Sequence, residues 1–206
     1  MRRHIGRENL RKRLAPLEGA PGRTVYEDGR VLIEAEGQTL AVRPPFGLAH
    51  RGEYDRVRVA PLLDEVAEDH VVAALLVRLG GYAVGVFEGE RLAASKVGSR
   101  FVKNRNKKGG SSSNRFRRRR EEQAAALVRE AAEVAARVLG PWRERVEFAA
   151  LGGDRGVVAD TLAARAELGW LRERALDRFF DVPDPRQRVL EALPYELYAV
   201  EVEEDG

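Results

Sequence analysis

The chain has 206 residues, 44% of them apolar, enough for one generous domain or a domain with a small appendage. It contains no cysteine, which excludes disulfides, thiolate metal sites and cysteine nucleophiles. Its formal charge of +3 hides an asymmetry: residues 100–120 hold ten lysines and arginines and no acid, leaving 26 basic against 33 acidic residues elsewhere.

The opening Met1-Arg-Arg-His-Ile-Gly-Arg carries the charge of a secretory leader, but no apolar segment follows it, and no run approaches a membrane span. The expectation is a cytoplasmic protein without a membrane partner. Residues 8–15 predict a short basic helix, stopped by Gly19, Pro21 and Gly22. From Arg23 to Arg43, apolar runs separated by Asp28-Gly29 and Glu36-Gly37 predict a small β-meander. Pro44-Pro45 and Gly47 end it, and residues 49–61 read as a polar connector with a strand at Tyr54 to Val59. A boundary near residue 65 makes 1–64 a β-rich N-terminal extension and 65–206 a second domain.

That second part opens with the apolar run Val71 to Val77, which suits a strand buried on both faces. Gly80-Gly81 turns the chain into strands at Tyr82 to Phe87 and Arg91 to Val97. Beyond residue 116, Ala124, Leu127, Val128, Ala131, Val134, Ala135 and Val138 recur at helical spacing, so Arg117 to Leu139 predicts a helix ended by Gly140-Pro141. A strand at Val146 to Leu151, helices at Val157 to Leu168 and Pro185 to Leu193, and a last strand at Leu197 to Val202 follow. Five strands with interleaved helices predict a mixed α/β domain.

Between the third of these strands and the long helix lies the basic segment. Two arms, Arg100, Lys103, Arg105, Lys107 and Lys108 on one side and Arg115, Arg117, Arg118, Arg119 and Arg120 on the other, flank Gly109-Gly110-Ser111-Ser112-Ser113. A basic loop on an acidic body implies a directed contact with phosphate. The plain alternatives are a Gly/Ser linker between charged arms and a solvated helix face. Against them, Phe101, Val102 and Phe116 sit in the arms, and four successive arginines occupy every face of a helical turn. The order Lys107-Lys108-Gly-Gly-Ser-Ser-Ser lacks the Gly-x-x-x-x-Gly-Lys-Ser/Thr pattern of a nucleotide-binding P-loop.

The run Lys107 to Ser113, following a β-meander and leading into a long arginine-rich helix, resembles the Gly-Gly-Ser-Gln-Ser-type loop of release-factor-like peptidyl-tRNA hydrolases of ribosome-associated quality control. These are relatives of the middle domain of the eukaryotic and archaeal class 1 peptide release factor, and the chain looks most like the actinobacterial branch. The resemblance covers about residues 65–206, including Phe180-Asp-Val-Pro-Asp-Pro185 and Leu197-Tyr-Ala-Val-Glu-Val202. It implies an RNase H-like fold whose loop enters the peptidyl transferase centre and promotes hydrolysis of the peptidyl-tRNA ester. Gly109, Gly110, Ser111, Ser112 and Ser113 would form the catalytic tip, and the basic arms would contact large-subunit RNA and peptidyl-tRNA, with no metal or organic cofactor. One position departs from the pattern: Ser112 stands where the family has its glutamine, and a serine side chain does not reproduce that reach. A non-catalytic ribosome- or tRNA-binding factor that has lost the glutamine is the second reading.

Other chemistries find little support. His4, His50 and His70 are remote in sequence from the serines and read as surface or satisfied polar residues, and Gln123 lies about two helical turns from the tip. An RNase H-like nuclease would need carboxylates on its first core strand, and Val71 to Val77 has none. Asp64, Glu65, Glu68, Asp69, Asp154 and Asp160 read as solvated acids or helix caps.

Overall fold

The computed structural model describes residues 1–35, 37–100 and 113–205 of the chain. It divides into two units, Met1–Asp69 with Pro194–Gly206, and His70–Leu193.

The first unit is a six-stranded antiparallel sheet in the order β1-β10-β4-β3-β2-β5. Its strands are β1 (Arg2–Gly6), β2 (Gly22–Glu27), β3 (Arg30–Ala35), β4 (Gln38–Arg43), β5 (Gly52–Tyr54) and, from the far end of the chain, β10 (Ala199–Asp205). Alternation places Val31, Ile33, Leu40, Val42, Val200 and Val202 in one core. Leu10 and Leu14 of α1 (Arg7–Leu14) and Leu62 and Val66 of α2 (Ala60–Ala67) complete it. The predicted meander is β2 to β4. Asp28-Gly29 makes its first turn, with Gly29 at φ 69°, a conformation open to glycine and strained for most other residues. Glu36, in the second predicted turn, lies outside the described residues. The Glu18 carboxylate accepts from the amides of Val59 and Ala60 at 2.6 and 2.9 Å, which satisfies donors at the start of α2 that the helix itself cannot.

The last strand corrects the sequence reading. The strand predicted at Leu197 to Val202 does not close the second domain; as β10 it lies between β1 and β4 of the first sheet. Charge explains the pairing. Arg2 and Arg3 on β1 pair with Glu201 and Glu204, Arg43 on β4 lies 3.2 Å from Glu201, and Arg13 lies 2.6 Å from Glu204. The Arg13 guanidinium holds the Glu204 carboxyl below its ordinary range. A domain boundary at 64/65 therefore omits the return of the C-terminal strand, and the first unit is made of both ends of the chain.

The second unit carries a four-stranded sheet in the order β8-β7-β6-β9. Strands β6 (Val71–Arg78), β7 (Gly81–Glu88) and β8 (Arg91–Ser99) form the antiparallel hairpins that the sequence predicts, and β9 (Phe148–Gly153) runs parallel to β6. Beyond β9, residues 174–180 follow its outer edge without forming a continuous strand: the Leu176 and Phe180 amides donate to the Ala149 and Leu151 carbonyls at 2.9 Å.

Every residue of β6 from Val72 to Val77 is fully buried, as the continuous apolar run implies. On one face, Ala73, Leu75 and Val77 join Leu127, Ala131, Val134, Ala135 and Leu139 of α3 (Ser113–Leu139) in a single core. Val157, Val158 and Leu162 of α4 (Arg155–Ala163) and Trp170 and Leu171 of α5 (Trp170–Glu173) extend it. On the opposite face, Leu190 of α6 (Gln187–Leu197) sits against Gly85, where a Cβ would come 3.0 Å from its methyl. The architecture is mixed α/β, as predicted.

Candidate nucleic-acid interface

The site begins with the geometry at one end of the four-stranded sheet. β8 is the edge strand, and its last pair joins Ser99 to Gly81. The next amide, that of Arg100, donates to the Gly80 carbonyl at 3.0 Å, so the chain leaves the sheet beside the β6–β7 turn. Three side chains fasten this exit to α3. The Glu130 carboxylate accepts from the Tyr82 hydroxyl at 3.1 Å and from the Arg100 guanidinium at 3.0 Å. Burial, with the hydrogen bond to Glu130, pushes the Tyr82 phenol above its ordinary pKa and keeps it a neutral donor.

The helix α3 enters from the other side of the basic segment. Among the described residues, Leu127 is its first fully buried one. At 1.5 Å per residue, about 20 Å of helix precedes it. Over that stretch Arg115, Arg117, Arg118, Arg119, Glu121 and Glu122 are exposed and Arg120 is half-buried. The pairs Arg117–Glu121 at 3.8 Å and Arg118–Glu122 at 3.3 Å join exposed groups, so they neutralise little and yield readily to another anion. The first turn of α3 contains no acid. Cations there oppose the helix dipole, while an incoming anion would be favoured by both the dipole and the arginines. This end of the helix gives up local stability and gains affinity for negative charge.

Of the residues singled out in the sequence, the structure places six of the cations. Arg100 is held by Glu130 at the base, and Arg115, Arg117, Arg118, Arg119 and Arg120 lie along the N-terminal part of α3. Lys103, Arg105, Lys107 and Lys108 lie outside the described residues, as do Gly109, Gly110, Ser111 and Ser112; Ser113 opens α3. The histidines have polar partners of their own. His50 Nε2 is 2.8 Å from the Tyr54 hydroxyl, His70 Nδ1 is 2.9 Å from Glu147, and His4 lies 3.9 Å from Glu201. Asp154 is a helix cap, accepting from the amides of Gly156 and Val157 at 2.9 and 3.2 Å. Among the described residues, no group of three His, Asp or Glu side chains is placed to hold a metal ion.

Sequence reasoning missed Tyr82 and Glu130, which hold the loop base to the helix. Their signal lies in distance along the chain: Glu130 follows Leu127 by three residues, so it flanks the apolar face, and Tyr82 directly follows the Gly80-Gly81 turn.

The four-stranded α/β unit passes from its edge strand, through a basic segment, into a long helix headed by arginines. The description of one family matches residues 70–203, a span that starts at the first residue of the second unit. The chain belongs to the Actinobacteria/chloroflexi VLRF1 release factor family. Among solved structures it is similar to the archaeal translation termination factor aRF1, at 15% identity and a TM-score of 0.46, over 94% of this chain and 73% of that one. It is also similar to a second archaeal protein, at 14% identity and a TM-score of 0.44, with the same coverage. Curated protein sequences gave no match. Among the described residues, no helix is long and apolar enough to cross a membrane.

Proposed function

We propose that this protein is a cytoplasmic peptidyl-tRNA hydrolase of release-factor type, acting on stalled ribosomes or large subunits. The observation that carries the reading is the arginine-rich N-terminal end of α3, a helix fastened through Glu130 to the sheet end where Arg100 leaves β8. Family membership supports the same reading. The basic arms dock on ribosomal and transfer RNA and carry residues 109–113 into the peptidyl transferase centre. There, water attacks the ester carbonyl, the bond to the terminal ribose oxygen breaks, and that oxygen takes up a proton. Backbone amides of Gly110 to Ser113 are the donors available to position water and stabilise the developing oxyanion.

Ser112 in the glutamine position favours a second reading, a factor that docks without hydrolysing. Incubating the purified chain with stalled 50S–peptidyl-tRNA complexes and resolving released peptide on a gel separates the two. Release above background supports the hydrolase; salt-sensitive binding without release sinks it and leaves the docking factor. Ser112→Gln should raise release if the tip is placed correctly.

A further inference from the structure

The basic segment is not the only cationic surface at this end of the sheet. We propose that Arg186 and Arg188, with Arg78, form a second phosphodiester-binding surface for RNA, beside the exit of the basic segment. The inference rests on the function proposed above and adds a separate contact to it.

Position supports it first. Arg78 ends β6, and a Cβ at Gly81, the residue that pairs with Ser99 at the loop exit, would stand 3.7 Å from the Pro185 carbonyl oxygen. The segment leading into α6 therefore borders the turn to which Arg100 is hydrogen-bonded. Between them lies an open groove of about 390 Å³, lined by Arg78, Pro183, Asp184, Arg186 and Arg188.

Charge and exposure come next. Arg78 is fixed by donating to the Val182 carbonyl at 2.6 Å, so part of the ordering cost of a phosphate contact is already met. Its nearest acid, Asp181, is 3.7 Å away and 96% exposed; Arg186 lies 3.6 Å from Asp184, which is 78% exposed. Both pairs are longer than hydrogen bonds and their acids are largely exposed, so a phosphate can take the place of either acid. Arg188 is exposed and has no ion-pair partner among the described residues. At the tip of the adjoining turn stands Leu79, one of the few large apolar side chains left exposed. An open groove with spaced guanidinium groups and an apolar neighbour fits a polymer with phosphates and bases better than an enclosed small anion.

The test uses the full chain and purified large ribosomal subunits, co-sedimented over a potassium chloride series. The double substitution R186E/R188E is expected to weaken binding roughly tenfold or more. It should also flatten the slope of log affinity against log salt by about 1.4–1.8, the release expected for two phosphates. Arg143→Glu, an exposed site near the opposite sheet end, should change neither quantity. The neutral pair R186Q/R188Q should move both in the same direction, which a disturbance of folding by charge reversal would not produce. Parental binding by both 186/188 variants, with binding lost in R117A/R118A/R119A, overturns the groove proposal and leaves the loop reading intact. No loss in any variant overturns both. An equal loss against RNA-free ribosomal protein overturns the assignment to RNA.

Discussion

The ring of Tyr82 occupies the space a side chain at Gly98 would need. The two residues are cross-strand partners, and a Cβ at Gly98 would come 2.3 Å from the phenol. The absence of that carbon lets the ring lie across β8 and deliver its hydroxyl to Glu130 on α3.

Gly98→Ala should therefore destabilise the second unit by about 1–3 kcal/mol, as overpacking does. Tyr82→Phe keeps the ring and loses only the hydrogen bond, at about 1 kcal/mol. Urea unfolding followed by circular dichroism measures both, and a neutral Gly98→Ala would count against the described packing.

Arg100 belongs to the basic segment by sequence but is bound to Glu130 in the structure. Its replacement by alanine should lower affinity for RNA less than Arg117→Ala or Arg118→Ala does. Salt titrations of binding to large subunits give the comparison. An Arg100→Ala effect equal to theirs would show that the Glu130 contact gives way on docking.

Two neighbouring glycines should respond oppositely to alanine. Gly153 has φ 104°, and its Cβ would stand 2.2 Å from the Val77 carbonyl oxygen, so Gly153→Ala should cost well over 2 kcal/mol. Gly156 lies in α4 with nothing nearer than Asp154 Oδ1 at 3.4 Å, and Gly156→Ala should stabilise by about 0.5 kcal/mol. Thermal melts of the two variants test the contrast.

The Tyr26 hydroxyl donates to the Arg58 carbonyl at 2.7 Å, and burial pushes its pKa up to about 12. A phenol that titrates higher in the folded state than in the unfolded one stabilises the fold below about pH 10. That contribution is lost as the pH rises towards 12. Denaturant midpoints from pH 9 upward should fall, and Tyr26→Phe should fall less steeply.

Where a segment's environment is dictated by its own pattern, the sequence was readable. The apolar run of β6 announced a strand buried on both sides, and the spacing from Leu127 to Leu139 announced the buried face of α3. β1 was unreadable because Arg2-Arg3-His4 has no apolar alternation and is a strand only by virtue of acids almost two hundred residues away. Those acids were the available signal: Glu201, Glu203 and Glu204 form a charge block opposite in sign to the N terminus. α2 was also legible in principle, since Pro61 sits in its first turn and Leu62 and Val66 are spaced i,i+4, yet the connector expected at 49–61 ran into its start and no helix was expected beyond it. In the interface, the cations were visible as composition. Their division into a base at Arg100, fixed by Glu130, and a group on the first turns of α3 could not be read from charge alone.

The position of β10 has a consequence during synthesis. It is made after the other strands of its sheet, yet it lies between β1 and β4 and, among the described residues, is the only strand to which β1 is hydrogen-bonded. On the translating ribosome, the sheet of residues 70–193 has all its strands before the first sheet does. The N-terminal meander waits, with the edge of β4 open, for a strand made more than 150 residues later. Association of that bare edge with other chains is the hazard of this arrangement, and it ends when Glu201 and Glu204 reach their arginines.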